Sequence, residues 1–361
     1  MSSFLQGAAG WICIVSAAAA EKERAGGRMP LLDVKNLETV FTTDQGIVRA
    51  VRDVSFSLSE GEALGIVGES GSGKSQTMYS VIGLLAGNGR VESGDITFDG
   101  KDISPKNFKN AKEYEDVMKE IRGNTMGMIF QDPMTFLNPV LKIGTQLTEP
   151  ILNHNRISME DAKKRAIELM TLVGIPSPEK RIEQYPFEFS GGMRQRIVIA
   201  IALANNPKLV IADEPTTALD VTIQAQVLEL IDELKNKSNS AVIMISHDLG
   251  VVAKLCDKIA IMYGGKIVEF GTDKDIFYDP KHPYTEGLLG CIANPEDDDE
   301  EELHPIAGSP PDLLNPPKGC PFVDRCDKAM NVCKNYPPKE IRFSDTHVSS
   351  CWLYDERVVA K

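Results

Sequence analysis

The sequence has no uninterrupted apolar run of about eighteen residues, so it predicts no segment that spans a membrane. It is also poor in positive charge, because 39 Lys and Arg residues stand against 52 Asp and Glu residues and leave a formal net charge of −13. This balance disfavours non-specific binding to nucleic acid. The sequence contains no internal repeat, so no module of the chain is predicted to occur twice.

A secretory signal is also missing from the N-terminus. The apolar stretch from Trp11 to Ala20 is short, and no basic residue precedes it. Periodic sequence begins only after Met29, which we expect to be the native start. Residues 1–29 therefore lie outside the first domain, as a disordered extension or an artefact.

The 361 residues, 42% hydrophobic and 25% charged, allow two domains or one large domain with an appendage. Three of the seven cysteines are scattered, as is typical of buried thiols: Cys13, Cys256 and Cys291. Four cluster near the C-terminus: Cys320, Cys326, Cys333 and Cys351. In a reducing compartment, such a cluster favours a metal over disulfides.

Residues 68–75 fit the pattern G-x-x-x-x-G-K-[ST] without a gap. They lie between a predicted buried strand, residues 63–67, and a predicted helix, residues 76–85, as a phosphate-binding loop requires. Glycines let the backbone wrap an anion, Lys74 supplies positive charge for the β- and γ-phosphates, and the Ser75 hydroxyl suits Mg²⁺. The predicted ATP contacts in this stretch are Gly68, Glu69, Ser70, Gly71, Ser72, Gly73, Lys74, Ser75 and Gln76.

Polar side chains also follow three other predicted strands. Asp213 and Glu214 close an apolar run, where Asp213 can hold Mg²⁺ and its water shell and Glu214 can deprotonate the attacking water; the alternative is a helix cap. His247 follows another apolar run and could sense the γ-phosphate, although a lone histidine is more often structural. Gln131 ends a further strand and offers an amide to Mg²⁺ or water. The predicted catalytic residues are Glu214, His247 and Gln131, and the predicted Mg²⁺ ligands are Ser75, Gln131 and Asp213.

A second anion-binding turn, Ser190-Gly191-Gly192, stands at the start of a predicted helix. Two such cradles in one chain cannot easily fold onto one phosphate. We therefore expect this turn to serve the nucleotide of a second subunit, which makes the loop at residues 68–75 one half of a complete site.

Strands that alternate with helices predict an α/β fold with a parallel sheet covered on both faces. We expect an antiparallel β subdomain at the start of a nucleotide-binding domain over residues 30–290, and an inserted helical subdomain at about residues 134–190. An acidic linker, residues 291–302, then leads to a small, irregular, metal-binding C-terminal domain, residues 303–361, which holds the four clustered cysteines.

Taken in order, these motifs resemble the ATP-binding subunit of an ABC transporter over roughly residues 31–270. The resemblance implies an ABC-type P-loop NTPase fold. It also implies a head-to-tail dimer with two ATP molecules, each between the phosphate loop of one subunit and the Ser190 turn of the other. Asp220 would couple the two sites. Phe41 would stack under adenine, with a place in the core as the alternative.

Finer motifs resemble the oligopeptide/dipeptide importer ATPases. They are residues 68–76, 131–135, 246–252, 282–285, 308–313 and 318–322, and the spacing Cys-x₅-Cys-x₆-Cys-x₁₇-Cys. Two positions depart from the usual ABC signature: Phe189 replaces Leu, and Met193 replaces Gln. Any contact from a Gln amide at position 193 is therefore lost.

The same resemblance implies a [4Fe–4S] cluster on the four clustered cysteines. Their spacing alone leaves other states open, because zinc fits four thiolates equally well and unligated thiols are a third option. The tail is too short and polar to build much core, so a bound metal would supply folding energy. The expected ligands are Cys320, Cys326, Cys333 and Cys351.

The resemblance further implies a peripheral ATPase on the cytoplasmic face of the membrane that powers uptake of oligopeptides or dipeptides. Its expected partners are a second, related ATPase subunit in a heterodimer, two membrane permease subunits and an extracytoplasmic substrate-binding protein. Two alternatives stay open: an importer ATPase for nickel or another peptide-like solute, and a soluble ABC ATPase that acts on ribosomes or DNA. A single cassette, a short helical insertion and the negative charge disfavour the last of these.

Overall fold

The computed structural model describes residues 29–216, 221–291 and 306–359. The first elements are β1 (Leu32–Thr43), β2 (Gly46–Leu58), β3 (Ala63–Val67), α1 (Lys74–Ile82), β4 (Gly89–Phe98), β5 (Lys101–Asp102), α2 (Ala111–Ile121) and β6 (Met126–Ile129). A run of helices follows: α3 (Pro133–Phe136), α4 (Ile143–His154), α5 (Met159–Leu172), α6 (Pro178–Arg181) and α7 (Gly191–Ala202). The remaining elements are β7 (Leu209–Asp213), α8 (Val221–Ser238), β8 (Ala241–Ser246), α9 (Leu249–Leu255), β9 (Lys258–Tyr263), β10 (Lys266–Thr272), α10 (Asp273–Tyr278), α11 (Pro283–Leu289), α12 (Asn331–Asn335), β11 (Ile341–Arg342), β12 (Val348–Ser349) and α13 (Glu356–Val359).

The described strands form two sheets. One is four-stranded and antiparallel, in the order β2-β1-β4-β5, and the other is eight-stranded, in the order β11-β12-β10-β9-β3-β8-β7-β6. From β9 to β6 every pairing in the larger sheet is parallel. Strands β3, β7 and β8 are buried along their whole length, as expected for a parallel sheet with helices on both faces. The predicted α/β architecture with a parallel sheet is confirmed.

Parallel pairing brings the carboxyl ends of β3, β8, β7 and β6 to one edge of the sheet. In open α/β sheets this edge is where ligands bind. The residues that follow these four strands are the loop 68–73, His247, Glu214 and Gln131. The fold therefore gathers the polar residues that the sequence places at strand ends.

Within the helices between β6 and β7, the sequence predicts a cap at residues 158–161 and an apolar stripe on the helix that follows, and α5 has both. The Ser158 hydroxyl accepts a hydrogen bond from the backbone N–H of Asp161 at 3.1 Å and so caps α5. The buried residues of this helix recur at helical spacing and face α4 and α7: Ala162, Ala166, Leu169 and Met170.

Two regions differ from the simple reading of the sequence. Alternation in the sequence predicts separate strands over residues 47–51 and 54–58. In the structure these residues form one strand, β2, whose pairing with β1 contains register shifts, and Asp53 adopts a φ of 58°. The C-terminal region was expected to be irregular, yet β12 pairs with β10 and extends the main sheet. Strands of two residues are too short to show a periodicity. Residues 1–28, 217–220, 292–305 and 360–361, which include nearly all of the expected linker, lie outside the described residues.

No helix among the described residues has the length and apolar character needed to cross a membrane.

Gly127 on β6 offers a test of the packing between the sheet and α7. A Cβ at this position would lie 2.3 Å from the backbone oxygen of Ala202, an atom that cannot rotate away. We expect Gly127→Ala to lower the free energy of unfolding by about 1–3 kcal/mol, because overpacking forces backbone shifts. Gly87→Ala is the matched control, since its Cβ would meet no atom within 4 Å. Equal midpoints for the two variants in urea unfolding of the full chain would contradict this packing.

Candidate functional site

The loop at residues 68–73 connects the buried strand β3 to the first turn of α1. A Cβ at Gly68 would lie 2.1 Å from the carbonyl oxygen of Met262, so a larger residue cannot occupy this position without a backbone shift. Gly73 adopts a φ of 100°, in the left-handed region, and a Cβ there would lie 2.4 Å from the carbonyl oxygen of Ala50. Two glycines of the pattern are therefore fixed by sterics and backbone conformation.

Lys74 is 5% exposed and folds back over the loop. Its Nζ donates to the carbonyl oxygens of Gly68, at 2.7 Å, and Glu69, at 3.0 Å. Burial lowers the pKa of Lys74, whereas the carboxylates of Glu214, Asp213 and Glu69 favour its charged form. The ammonium group is thus held where an anion in the loop would meet it.

Ser72 carries a buried polar atom, its side-chain Oγ, inside the loop. Its side chain is 3% exposed, and among the described residues no group forms a hydrogen bond with its Oγ. Buried hydroxyl groups are normally hydrogen-bonded, so an unpartnered one inside an anion-binding loop indicates a position for a ligand oxygen. Of the neighbouring predicted contacts, Ser70 is exposed and Gln76 is half-buried at the start of α1.

The structure brings Ser75 and Asp213 together across two strands of the sheet. The Ser75 hydroxyl donates to Oδ1 of Asp213 at 2.8 Å. Burial raises the pKa of Asp213, and hydrogen bonds from Ser75 and Tyr79 oppose the shift. A hydroxyl and a carboxylate oxygen in contact are the hard donors that Mg²⁺ prefers.

Tyr79 is a member of this group that the sequence reasoning missed. It lies one helical turn after Ser75, and burial followed by the Asp213 charge raises its pKa to about 12. The spacing of four residues after the loop serine is the signal that could have found it.

Glu214 lies beside Gln131 and His247, the two residues that follow β6 and β8. Its Oε2 accepts a hydrogen bond from Nε2 of Gln131 at 2.9 Å and lies 3.6 Å from Nδ1 of His247. Its backbone adopts a φ of 46°, a strained conformation for a residue other than glycine. Gln131 and His247, from the ends of β6 and β8, thus meet the carboxylate of Glu214 at the end of β7. The surrounding structure holds the strained backbone of Glu214 in place.

Ser190 caps α7, and its hydroxyl accepts a hydrogen bond from the backbone N–H of Met193 at 3.3 Å. Ser190 and Gly191 are exposed, and a Cβ at Gly191 would meet no atom within 4 Å. Within the described ranges, none of the hydrogen bonds joins Ser190, Gly191 or Gly192 to the loop at residues 68–75. The predicted residue Asp220 lies outside the described residues.

Phe41 lies half-buried on β1, beside β4. A Cβ at Gly89 would come within 2.5 Å of its ring, so the ring covers the backbone of that glycine. The ring therefore packs on the antiparallel sheet.

The four clustered cysteines come together in the fold. Cys320, Cys333 and Cys351 are buried and Cys326 is half-buried, and all four are free thiols. Burial raises the pKa of Cys320 to about 12 and that of Cys351 to about 11, and the charges of the other thiols of the cluster add to both shifts.

The expected metal site is not confirmed by this arrangement. The thiols are near enough that ionisation of the others raises the pKa of Cys320, yet no group of three or more His, Cys, Asp or Glu side chains in the described ranges is arranged to hold a metal ion. Sequence spacing shows that four thiols can reach one centre, but it does not fix the orientation of their Sγ atoms.

Two family models match the chain. The model described as ABC transporter matches residues 51–217, and the one described as the C-terminal region of oligopeptide/dipeptide transporters matches residues 268–333. The first match contains the phosphate loop, Gln131, the Ser190 turn and Glu214. The second contains three of the four clustered cysteines.

Curated relatives match over most of the chain. The oligopeptide transport ATP-binding protein OppD of Bacillus subtilis (strain 168) is 55% identical over 324 residues, which cover 90% of this chain and 88% of that protein. The dipeptide transport ATP-binding protein DppD of the same organism is 54% identical and covers 91% of this chain and 96% of its own length. OppD of Escherichia coli (strain K12) is 49% identical, with coverage of 89% and 93%.

Solved structures match the nucleotide-binding part. A dimeric bacterial ABC transporter cassette superposes with a TM-score of 0.58 at 27% identity and covers 67% of this chain and 98% of its own. A dimeric ATP-binding cassette in a post-hydrolysis state, bound to ADP and phosphate, gives the same TM-score at 26% identity, with the same coverage. The phosphate loop, the strand-end carboxylates and most of the C-terminal region lie inside these matches. The chain therefore belongs to the oligopeptide/dipeptide branch of the ABC transporter ATP-binding proteins.

Proposed function

We propose that the chain is the ATP-hydrolysing subunit of an importer for oligopeptides or dipeptides. The observation that carries the proposal is the convergence of Lys74, the Ser75–Asp213 pair and Glu214 at one edge of the sheet. The cargo follows from relatives whose names state oligopeptide or dipeptide transport and whose similarity extends over about nine-tenths of the chain.

ATP would bind with its phosphates in the loop at residues 68–75. Lys74 and the Ser72 hydroxyl face this loop from inside and would donate to phosphate oxygens, together with backbone N–H groups at the start of α1. Phe41 would contact the adenine ring. Ser75 and Asp213, with the Gln131 amide, would hold Mg²⁺, which supplies positive charge against the phosphate oxygens.

Glu214 acts as the general base in this proposal. Its carboxylate takes a proton from the attacking water, the water oxygen bonds to the γ-phosphorus, and the bond to the β–γ bridging oxygen breaks to give ADP and phosphate. The hydrogen bond from Gln131 and the proximity of His247 would orient the carboxylate and the γ-phosphate.

The Ser190 turn would complete the site of a second ATPase subunit. The exposed Ser190 and Gly191 at the N-terminus of α7 suit an anion supplied from outside the chain. The dimeric state of the similar cassettes supports this arrangement, in which Asp220 couples the two sites.

We propose a heterodimer with a related subunit, bound at the cytoplasmic face of the membrane to two permease subunits that receive cargo from an extracytoplasmic binding protein. The inserted helices would dock on the permeases.

We also propose that the four clustered cysteines hold a [4Fe–4S] cluster, with zinc as the alternative. The support is the proximity of Cys320, Cys326, Cys333 and Cys351, since ionisation of their neighbours raises the pKa of three of them. Their present arrangement is not a ligand cage, so binding would require side chains to reorient. The cluster would be structural and would hold the C-terminal region.

Glu214→Gln tests the base. We expect the assembled complex that carries this variant to bind ATP normally and to lose phosphate release by about 100-fold or more, because the amide cannot accept the proton. Glu120→Gln, an exposed position on α2, is the control and should keep full turnover. Near wild-type hydrolysis by Glu214→Gln would show that the base lies elsewhere.

Lys74→Ala tests the phosphate contact. Loss of a charge-assisted donor should weaken ATP binding by about tenfold or more, measured as the Kd of a fluorescent ATP analogue for the full chain. The exposed Lys101→Ala on β5 should leave this Kd unchanged. An unaltered Kd for Lys74→Ala would place the phosphates outside the loop.

Anaerobic purification tests the cysteine cluster. We expect brown protein with visible absorption and about four irons and four sulfides per chain, which Cys333→Ser loses and Cys291→Ser, at an exposed thiol outside the cluster, keeps. Colourless protein with one zinc per chain would replace the iron proposal with zinc, and protein free of both metals would reject a metal role.

A further inference from the structure

Arg325, in the C-terminal region, binds Glu69 in the phosphate loop across 256 positions of sequence. Its Nη1 lies 2.6 Å from Oε2 of Glu69 and its Nη2 lies 3.0 Å from Oε1, so the guanidinium group grips the carboxylate with two parallel hydrogen bonds. The Arg325 side chain is 5% exposed and that of Glu69 is 26% exposed. A bidentate pair this shielded from water is stronger than an ordinary surface ion pair.

The position of Arg325 is fixed from several sides. Its remaining N–H groups donate to the carbonyl oxygens of Ala307, at 2.8 Å, and Ile306, at 2.9 Å, and Nη1 also donates to the Tyr263 hydroxyl at 3.1 Å. The guanidinium carbon lies 5.7 Å from the centroid of the Tyr263 ring and 5.9 Å from that of Phe322. The hydrogen bond to Glu69 raises the pKa of Arg325, which keeps the group charged.

The polar groups of Glu69 connect this contact to the phosphate site. Its backbone N–H donates to the hydroxyl of the buried Tyr284 at 2.9 Å. Its carbonyl oxygen accepts from Lys74 Nζ, at 3.0 Å, and from the backbone N–H of Ser72, at 3.2 Å. Glu69 therefore links Arg325 and Tyr284 to Lys74 and Ser72. A shift of either of the first two residues would move the loop that holds the other two.

We propose that Arg325 is a positioning residue for ATP: it neutralises the Glu69 carboxylate and holds the phosphate loop in its binding conformation. The proposal rests on the proposed ATP site. Without Arg325, the Glu69 carboxylate remains unpaired beside Lys74, and its charge opposes the negative charge of the phosphates. The Glu69 carboxylate is near enough to Lys74 to favour the charged form of the lysine, against the lowering of its pKa by burial.

The same segment carries the clustered cysteines. Arg325 directly precedes Cys326, and Phe322, which packs against Tyr263 and Tyr284, follows Cys320 by two residues. A change in the C-terminal region that moves Arg325 thus acts on ATP affinity through Glu69. In this proposal the C-terminal region contributes to the nucleotide site through Arg325, a residue that no local sequence motif marks.

Arg325→Gln in the full chain tests the proposal, because it removes the charge and keeps an N–H donor at the position of Nε, which bonds to the carbonyl of Ala307. We expect the Kd for ATP to rise by about tenfold, with kcat at saturating ATP in the assembled complex within about twofold of wild type. Arg325→Lys, which keeps the charge but loses the fork, should show a smaller rise. The control is Arg357→Gln, which removes an exposed arginine of the same region that stacks on Trp352 and pairs with Asp355.

A rescue separates this electrostatic role from packing. In the Arg325→Gln background, Glu69→Gln removes the unpaired carboxylate, so the double variant should recover most of the lost ATP affinity. A double variant as weak as Arg325→Gln alone, or a wild-type Kd for Arg325→Gln, would overturn the proposal. Failure of the ATP site itself is distinct, since in that case the wild-type chain does not bind ATP or Lys74→Ala binds it normally.

Discussion

Parallel pairing of β3, β8, β7 and β6 is the constraint on which the site depends. It brings four strand ends to one edge of the sheet, so residues far apart in sequence meet. The hydrogen bond between Ser75 and Asp213 and the one between Gln131 and Glu214 both cross this edge. The registers of these strands set the separation of the groups at their ends.

Burial shapes the electrostatics of the same edge. It lowers the pKa of Lys74 and raises that of Asp213, because a buried environment disfavours the charged form of either group. Each group keeps partners that favour its charged form, with carboxylates around the lysine and hydroxyl donors around the aspartate. A nucleotide with its metal brings both signs of charge, and so complements the cation and the anion together.

The sequence predicted the parts of the site that local patterns encode. The phosphate loop has a fixed motif, and Glu214, His247 and Gln131 each follow an apolar run, so the strand pattern places them at one edge. Arg325 carried no such signal, because its contact with Glu69 spans 256 positions and depends on how the C-terminal region folds back. The two-residue strand β12 and the bulge in β2 were missed for a similar reason, since short or irregular strands leave no clear alternation. The predicted metal site rested on the spacing of the cysteines. Spacing does not determine the orientation of the thiols, which depends on how the chain folds.

The most direct test of the account is the structure of the Glu214→Gln chain, assembled with its partner ATPase subunit, ATP and Mg²⁺. The account predicts the γ-phosphate within hydrogen-bonding distance of Lys74 Nζ and Ser72 Oγ, the metal between Ser75 and Asp213, and a Ser-Gly-Gly turn of the partner subunit against the same phosphate. A nucleotide bound away from the loop at residues 68–75, or a phosphate contacted by this chain's own Ser190 turn, would contradict it.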